Sequence, residues 1–155
     1  MVNPFHFASL PKIFFKAGGI LSRPSLIRKF GHNVIVVTGK ESFINSESAR
    51  YLFLKFKETG IRHQVVTISG EPSPEVIDQN VSRLSGEKAD IVVGIGGGSV
   101  LDAGKAISAM MYKTGSVYDY LEGVGKKDHP GTKIPYIAIP TTSGTGSEAT
   151  KNAVI

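Results

Sequence analysis

Gly96, Gly97, Gly98 and Ser99 stand in a row at the end of an apolar run, Ile91 to Ile95, and Asp102 and Lys105 follow at helical spacing. Such a row suits one kind of chemistry. Without a Cβ, and with dihedrals open to glycine, the backbone lets an oxygen-rich group come close to peptide N–H donors. If a helix starts with Ser99 as its N-cap, its unpaired first amides and its dipole favour an anion at the same place. The ligand implied is a phosphate or pyrophosphate. Asp102 and Lys105 would then share one helix face near its positive end. A second reading stays open on these residues: a tight strand-to-helix turn that binds nothing, followed by a solvated Asp/Lys pair. The consecutive glycines differ from the usual dinucleotide fingerprint. Gly39-Lys40-Glu41-Ser42 likewise lacks the spacing of a P-loop.

A second stretch with chemical potential is Pro140 to Thr150, PTTSGTGSEAT, dense in hydroxyls and glycine. It offers small donors on a pliable backbone where a strand ends. A solvated loop would have the same composition. What separates the two is position, because this stretch should leave the same edge of the sheet as the glycine turn.

The elements that must place these residues follow from periodicity. Ile91 to Ile95 is β-branched and lacks alternation, as a strand buried on both faces does. Val100, Ala103, Ala106, Ile107 and Met110 recur as one helix face. Asn33 to Thr38 reads as a second buried strand closing on Gly39, Gln64 to Ser69 as a third and Pro135 to Ile139 as a last one stopped by Pro140. Between them lie helical patterns at Pro24 to Phe30, Ser42 to Thr59 and Pro74 to Leu84, and a helical turn near Tyr118 to Leu121. Phe5 to Gly19, aromatic and broken by Pro11, reads as one or two edge strands. Strand and helix in alternation predict an α/β, Rossmann-like parallel sheet with flanking helices and N-terminal edge strands. Ligands of such sheets sit at the carboxyl ends of the strands, where Gly39, Gly70 and Gly96 all stand.

Composition narrows the function classes. One domain of 155 residues is long enough for a substantial core. The net charge of +5 is scattered and not gathered on one face, which favours anionic ligands and argues against nucleic acid. There are no cysteines, so disulfides and thiolate metal sites are excluded. No run reaches the length of a membrane span, and the start lacks a secretory pattern, so the expected location is the cytoplasm with no membrane partner. An apolar strand at the chain start also suits a homodimer contact, or a strand that covers its own core.

Together, GGGSVLDAGKAIS and PTTSGTGSEAT resemble the N-terminal nucleotide-binding domain of the iron-containing (group III) alcohol dehydrogenases. That family is related to glycerol dehydrogenase, maleylacetate reductase and dehydroquinate synthase. The similarity runs through nearly the whole sequence, including Thr38-Gly39 and the Gly-Glu-Pro-Ser at 70 to 73. The resemblance implies that Gly97, Gly98 and Ser99 hold the cofactor pyrophosphate. It puts Asp102 near the nicotinamide end of the cleft, Thr141 and Thr142 against the nucleotide, and Thr150 and Asn152 along the cofactor. At position 39, members that prefer NAD resemble one another in having an aspartate, which would take the ribose hydroxyls and repel a 2′-phosphate. Here Gly39 is followed by Lys40 and Ser42. A missing carboxylate, an ammonium and a hydroxyl can accept that phosphate, so NADP is expected over NAD.

In the family, iron or zinc is held by an aspartate and histidines of an all-helical second domain, where an alcohol or carbonyl substrate is polarised for hydride transfer. The sequence ends at Ile155 before any such domain, and His6, His32, His63 and His129 show no paired metal spacing. The expectation is therefore the cofactor half of a metal-dependent alcohol dehydrogenase, inactive alone, with no catalytic or metal residue of its own. Two alternatives remain: a non-catalytic nucleotide-binding module, and the corresponding domain of a metal-free, maleylacetate-type reductase.

Overall fold

The computed structural model describes residues 11–20 and 24–155. Its elements are α1 (Pro24–Arg28), β1 (Asn33–Gly39), α2 (Glu47–Glu58), β2 (Arg62–Ile68), α3 (Pro74–Arg83), β3 (Ile91–Gly96), α4 (Gly98–Met110), a 3-10 turn (Val117–Tyr120) and β4 (Tyr136–Pro140). The four strands form one parallel sheet in the order β2-β1-β3-β4.

Burial follows composition in β3 and β2, whereas β4, expected as a buried strand and apolar throughout, is only half-buried at its edge of the sheet. All six residues of β3 are buried, as its unalternating apolar run requires, whereas β2 at one edge exposes its first three residues, Arg62, His63 and Gln64. One face of the sheet packs Val34, Val36, Ile91, Val93 and Ile95 under α1 and α2, through Ile27, Ala49, Leu52 and Phe56. The other packs Ile35, Val37, Val66, Ile68 and Val92 under α3 and α4, through Ile77, Ala103, Ala106 and Ile107. The chain runs from β1 outward to β2, then crosses back over β1 to β3 and on to β4. Its direction thus reverses at the β1/β3 pair, and the crevice beyond their carboxyl ends is the topological switch point of the fold. The register brings Thr38 beside Ile95 and Gly96 beside Pro140, so the ends of β1, β3 and β4 share one edge.

Helix starts decide two boundaries that periodicity leaves open. The apolar residues from Phe43 onward suggest a helix from Ser42, but α2 begins at Glu47. Ser46 is extended and its hydroxyl accepts from the Ala49 amide, which fixes the start there. Phe43 is buried in the preceding turn. Ser73 caps α3 in the same way, with Pro74 at its entry.

At the opposite edge of the sheet, Asp90 Oδ2 accepts from the His32 amide at 2.8 Å, the Asn33 amide at 2.9 Å and the Asn33 side-chain amide at 3.0 Å. The Asn33 amide does most to hold this carboxyl below its ordinary value, and partial burial opposes it. This brace aligns the starts of β1 and β3.

The edge strands expected over Phe5 to Gly19 are not formed in the part that is described: residues 11–16 carry no regular structure and 17–20 form a turn. Pro11, which lacks an amide to donate, and the turn at Gly18, where φ is 64°, both work against a strand there. Residues 5–10 of that expectation lie outside the described residues. Among the described residues no helix is long and apolar enough to cross a membrane.

Candidate functional site

The switch-point crevice is built from the end of β3, the start of α4 and the loop after β4. Gly96 is required by close approach, since a Cβ there would lie 2.7 Å from the Val100 Cβ. Dihedral freedom is not the reason for the triplet: among the described residues, the glycines with positive φ do not include Gly96, Gly97 or Gly98. Positive φ is found instead at Gly144 (93°) and Gly146 (71°), where the hydroxyl-rich loop folds back over the turn.

The N-cap of α4 is Gly97, not Ser99. Gly97 is extended, its carbonyl accepts from the Leu101 amide, and no side chain caps the helix. Ser99 therefore lies inside the first turn, half-buried. Unlike α2 and α3, α4 opens on bare amides, and its first turn has no intrahelical partner for them. That is the donor set a phosphate takes.

The hydroxyl-rich loop stands directly over this turn. Thr141 donates its amide to the Gly96 carbonyl at 2.9 Å. A Cβ on Gly97 would come within 3.3 Å of Thr142 Oγ1, and one on Gly98 within 3.3 Å of both Ser147 Oγ and the Thr145 Cβ. The glycines and the threonine-rich loop thus face each other at close range, Gly97 opposite Thr142 and Gly98 opposite Thr145 and Ser147. Gly39 closes the β1 side, where an added Cβ would meet only Val100 Cγ2, at 3.8 Å. Lys40 and Ser42 are exposed in the segment after β1.

Asp102, Thr150 and Asn152 are brought together, but around an internal partner. Asp102 and Lys105 are 6% and 8% exposed, so the pair is not a solvated one. The Lys105 ammonium sits 2.7 Å from Asp102 Oδ1, donates to Thr150 Oγ1 at 2.9 Å and donates to the Asn152 carbonyl. Ser147 Oγ donates to Asp102 Oδ2 at 3.2 Å. The Asp102 carboxylate, expected near the nicotinamide end of the cleft, is thereby engaged within the protein. Thr150 and Asn152 are tied to α4 through Lys105.

Two participants were not singled out by sequence. Ser147 carried only the general signal of its hydroxyl-rich stretch. Tyr136 donates to the Leu101 carbonyl within α4 at 2.9 Å, and burial, with the Asp102 charge second, pushes its phenol well above the ordinary value of 10.0. Its only sequence signal was an aromatic residue in an otherwise aliphatic strand.

The histidines are dispersed. His32 Nδ1 lies 3.3 Å from the Gly60 carbonyl, and His129 pairs with the Ala109 carbonyl and the Gly131 amide. His63 stacks on Phe53 with ring centroids 4.6 Å apart, and burial lowers its pKa. His6 lies outside the described residues. Among the described residues, no group of three or more His, Cys, Asp or Glu side chains could hold a metal ion. A cleft of about 360 Å³ opens at the amino ends of β1 and β2, beside Arg62 and Lys88, and another of about 370 Å³ lies beside Tyr120 and His129. Neither is lined by a residue expected to hold the cofactor.

A parallel sheet with a reversal of strand order, and an uncapped helix start at that reversal, define a Rossmann-like α/β domain. Within that class the chain belongs to the iron-containing alcohol dehydrogenase family, whose model matches residues 11–155. It is 32% identical over 155 residues to NADH-dependent butanol dehydrogenase A of Clostridium acetobutylicum, covering 97% of this chain and 38% of that protein. The crystal structure of NADH-dependent butanol dehydrogenase A from Thermotoga maritima superposes with a TM-score of 0.87 at 29% identity, over 98% of this chain and 38% of that one. Sulfoacetaldehyde reductase from Bifidobacterium kashiwanohense, crystallised in complex with NAD+, superposes with a TM-score of 0.81 at 29% identity, over 96% of this chain and 39% of that one. The chain thus spans about two fifths of the length of each of these three relatives.

Proposed function

We propose that the chain is the cofactor-holding part of an NAD(P)-dependent, metal-dependent alcohol dehydrogenase that transfers hydride between an alcohol and the corresponding aldehyde or ketone. The observation that carries this reading is the bare start of α4 beneath the hydroxyl-rich lip, at the switch point of the sheet. The amides of Gly97, Gly98 and Ser99 would receive the pyrophosphate, and Thr141 and Thr142 would contact the nucleotide from the facing lip. Bound there, the nicotinamide supplies or accepts the hydride. The chain's own residues bind and orient it, and the iron or zinc ligands of this proposal come from outside the described residues.

The adenosine end falls to Gly39, Lys40 and Ser42, and their chemistry favours NADP. Gly39 has room for a side chain, so the absence of a carboxylate there is not imposed by packing. Relatives named as NADH-dependent raise the opposite expectation, which makes the preference worth measuring. Titration of the chain with NADPH and NADH, followed by nicotinamide fluorescence, should give at least about tenfold tighter binding of NADPH. The Gly39→Asp variant should reverse that order. Tenfold tighter binding of NADH to the unaltered chain would remove the NADP preference, and binding of neither would remove the proposal.

A further inference from the structure

We propose that Lys105 is the positioning residue of the cleft: its buried ammonium pins Thr150 and the Asn152 carbonyl to α4, and so sets where the hydroxyl-rich lip stands over the helix start. The choice of a dinucleotide as the ligand rests on the function proposed above; the pinning does not. The Lys105 ammonium donates to Thr150 Oγ1 and to the Asn152 carbonyl, and the Asp102 carboxylate lies beside it as an ion pair at 2.7 Å. The ammonium is 8% exposed and its close partners are all internal, so Lys105 acts through the lip and not by contact with the cofactor.

The lip needs such an anchor because its own composition provides little packing. Residues 141–145 are exposed, and the bends at Gly144 and Gly146 lie in the left-handed region. At its entry it is held by the bond from the Thr141 amide to Gly96. At its exit it is held by the ion pair, with Ser147 on Asp102 and Thr150 and Asn152 on Lys105. A charged pair this deeply buried gives little net stability over apolar side chains of the same size. What it adds here is a single arrangement of a polar segment that would otherwise have several.

Lys151 lies between the two anchored residues and is itself exposed, which provides a direct readout. Trypsin cleavage after Lys151, measured relative to cleavage after exposed Lys40, should rise about tenfold or more in Lys105→Met, as expected for loss of charge-assisted hydrogen bonds. The double variant Asp102→Asn/Lys105→Met leaves no unpaired buried charge. It should show the same rise with the far-UV spectrum of the parent chain, which keeps the test valid if the single variant fails to fold. NADPH affinity should fall about tenfold in parallel.

Because the chain has no cysteine, Lys105→Cys can be alkylated with 2-bromoethylamine in denaturant and refolded, restoring an ammonium at nearly the original reach. Both readouts should return to within about threefold of the parent chain taken through the same treatment. Unchanged cleavage after Lys151 in a folded variant overturns the proposal. So does failure of the restored ammonium to recover it, or unchanged affinity despite faster cleavage. If the parent chain binds neither NADPH nor NADH, the dinucleotide reading fails, and cleavage and rescue alone still decide the role of Lys105.

Discussion

Tyr136, on β4, donates its hydroxyl to the Leu101 carbonyl of α4 at 2.9 Å, reaching across Gly94 of β3 and Gly104 of α4. A Cβ on Gly104 would lie 2.8 Å from both Tyr136 Cε2 and its hydroxyl oxygen, and one on Gly94 would meet that hydroxyl directly. A glycine in a strand and another in a helix are thus explained by one aromatic ring. Both would otherwise weaken their elements.

Gly104→Ala should therefore destabilise the fold by about 2 kcal/mol, despite alanine's higher helix propensity, because the ring has rigid neighbours on both sides. Tyr136→Phe removes the hydrogen bond alone and should cost about 1 kcal/mol. Urea unfolding midpoints separate the two. A stabilised Gly104→Ala variant would mean that the ring does not occupy this gap. The raised phenol pKa sets the sign of a further effect. The Tyr136 contribution is fully present below the unfolded value of about 10 and is lost as pH rises through the higher folded value.

Gly98→Val places a branched side chain where Ser147 and Thr145 already stand 3.3 Å from the Cβ position. The lip must move outward or the new methyls must cover the first amides of α4, and either change removes the phosphate cradle. NADPH affinity should fall by at least about tenfold while the far-UV spectrum is retained. Undiminished affinity would place the nucleotide elsewhere.

Thr38, at the end of β1, is fully buried, and its hydroxyl has no hydrogen-bond partner among the described residues. Replacing it with a methyl of nearly the same shape removes an uncompensated desolvation cost. Thr38→Val should raise stability by about 1 kcal/mol in equilibrium unfolding. A loss of stability would show that the hydroxyl is satisfied after all.

The Asp90 brace predicts the acid limb of the stability profile. Its carboxyl titrates below the ordinary 3.8 because the Asn33 amide, and then the His32 amide, favour the charged form. With a depressed folded pKa, its contribution is present above about 3.8 and lost as pH falls through the lower folded value. Asp90→Ala should cost about 1 to 2 kcal/mol at neutral pH, a figure discounted for partial solvent access, and should flatten that limb. An unchanged acid limb in the variant would assign it to other carboxylates.

The fold was legible in the sequence because its signals are local. Unalternating apolar runs such as Ile91 to Ile95 need a sheet covered on both faces, and Ser46 and Ser73 mark helix starts through bonds to amides three residues on. The glycine row and the threonine-rich stretch were legible as chemistry, and together they pointed to the family. Their meeting over α4, with Thr142 against Gly97, required the register of β3 with β4, which no local pattern encodes. The helical periodicity showed one apolar face of α4 but not that Ser147, Thr150 and Asn152 reach Asp102 and Lys105, which become a buried pair. Nor did it show that Gly94 and Gly104 make room for a tyrosine from β4. Residue types and spacing settle which elements form and what chemistry they offer. Burial and partner choice belong to the tertiary structure, because they depend on segments distant along the chain excluding water from the same space.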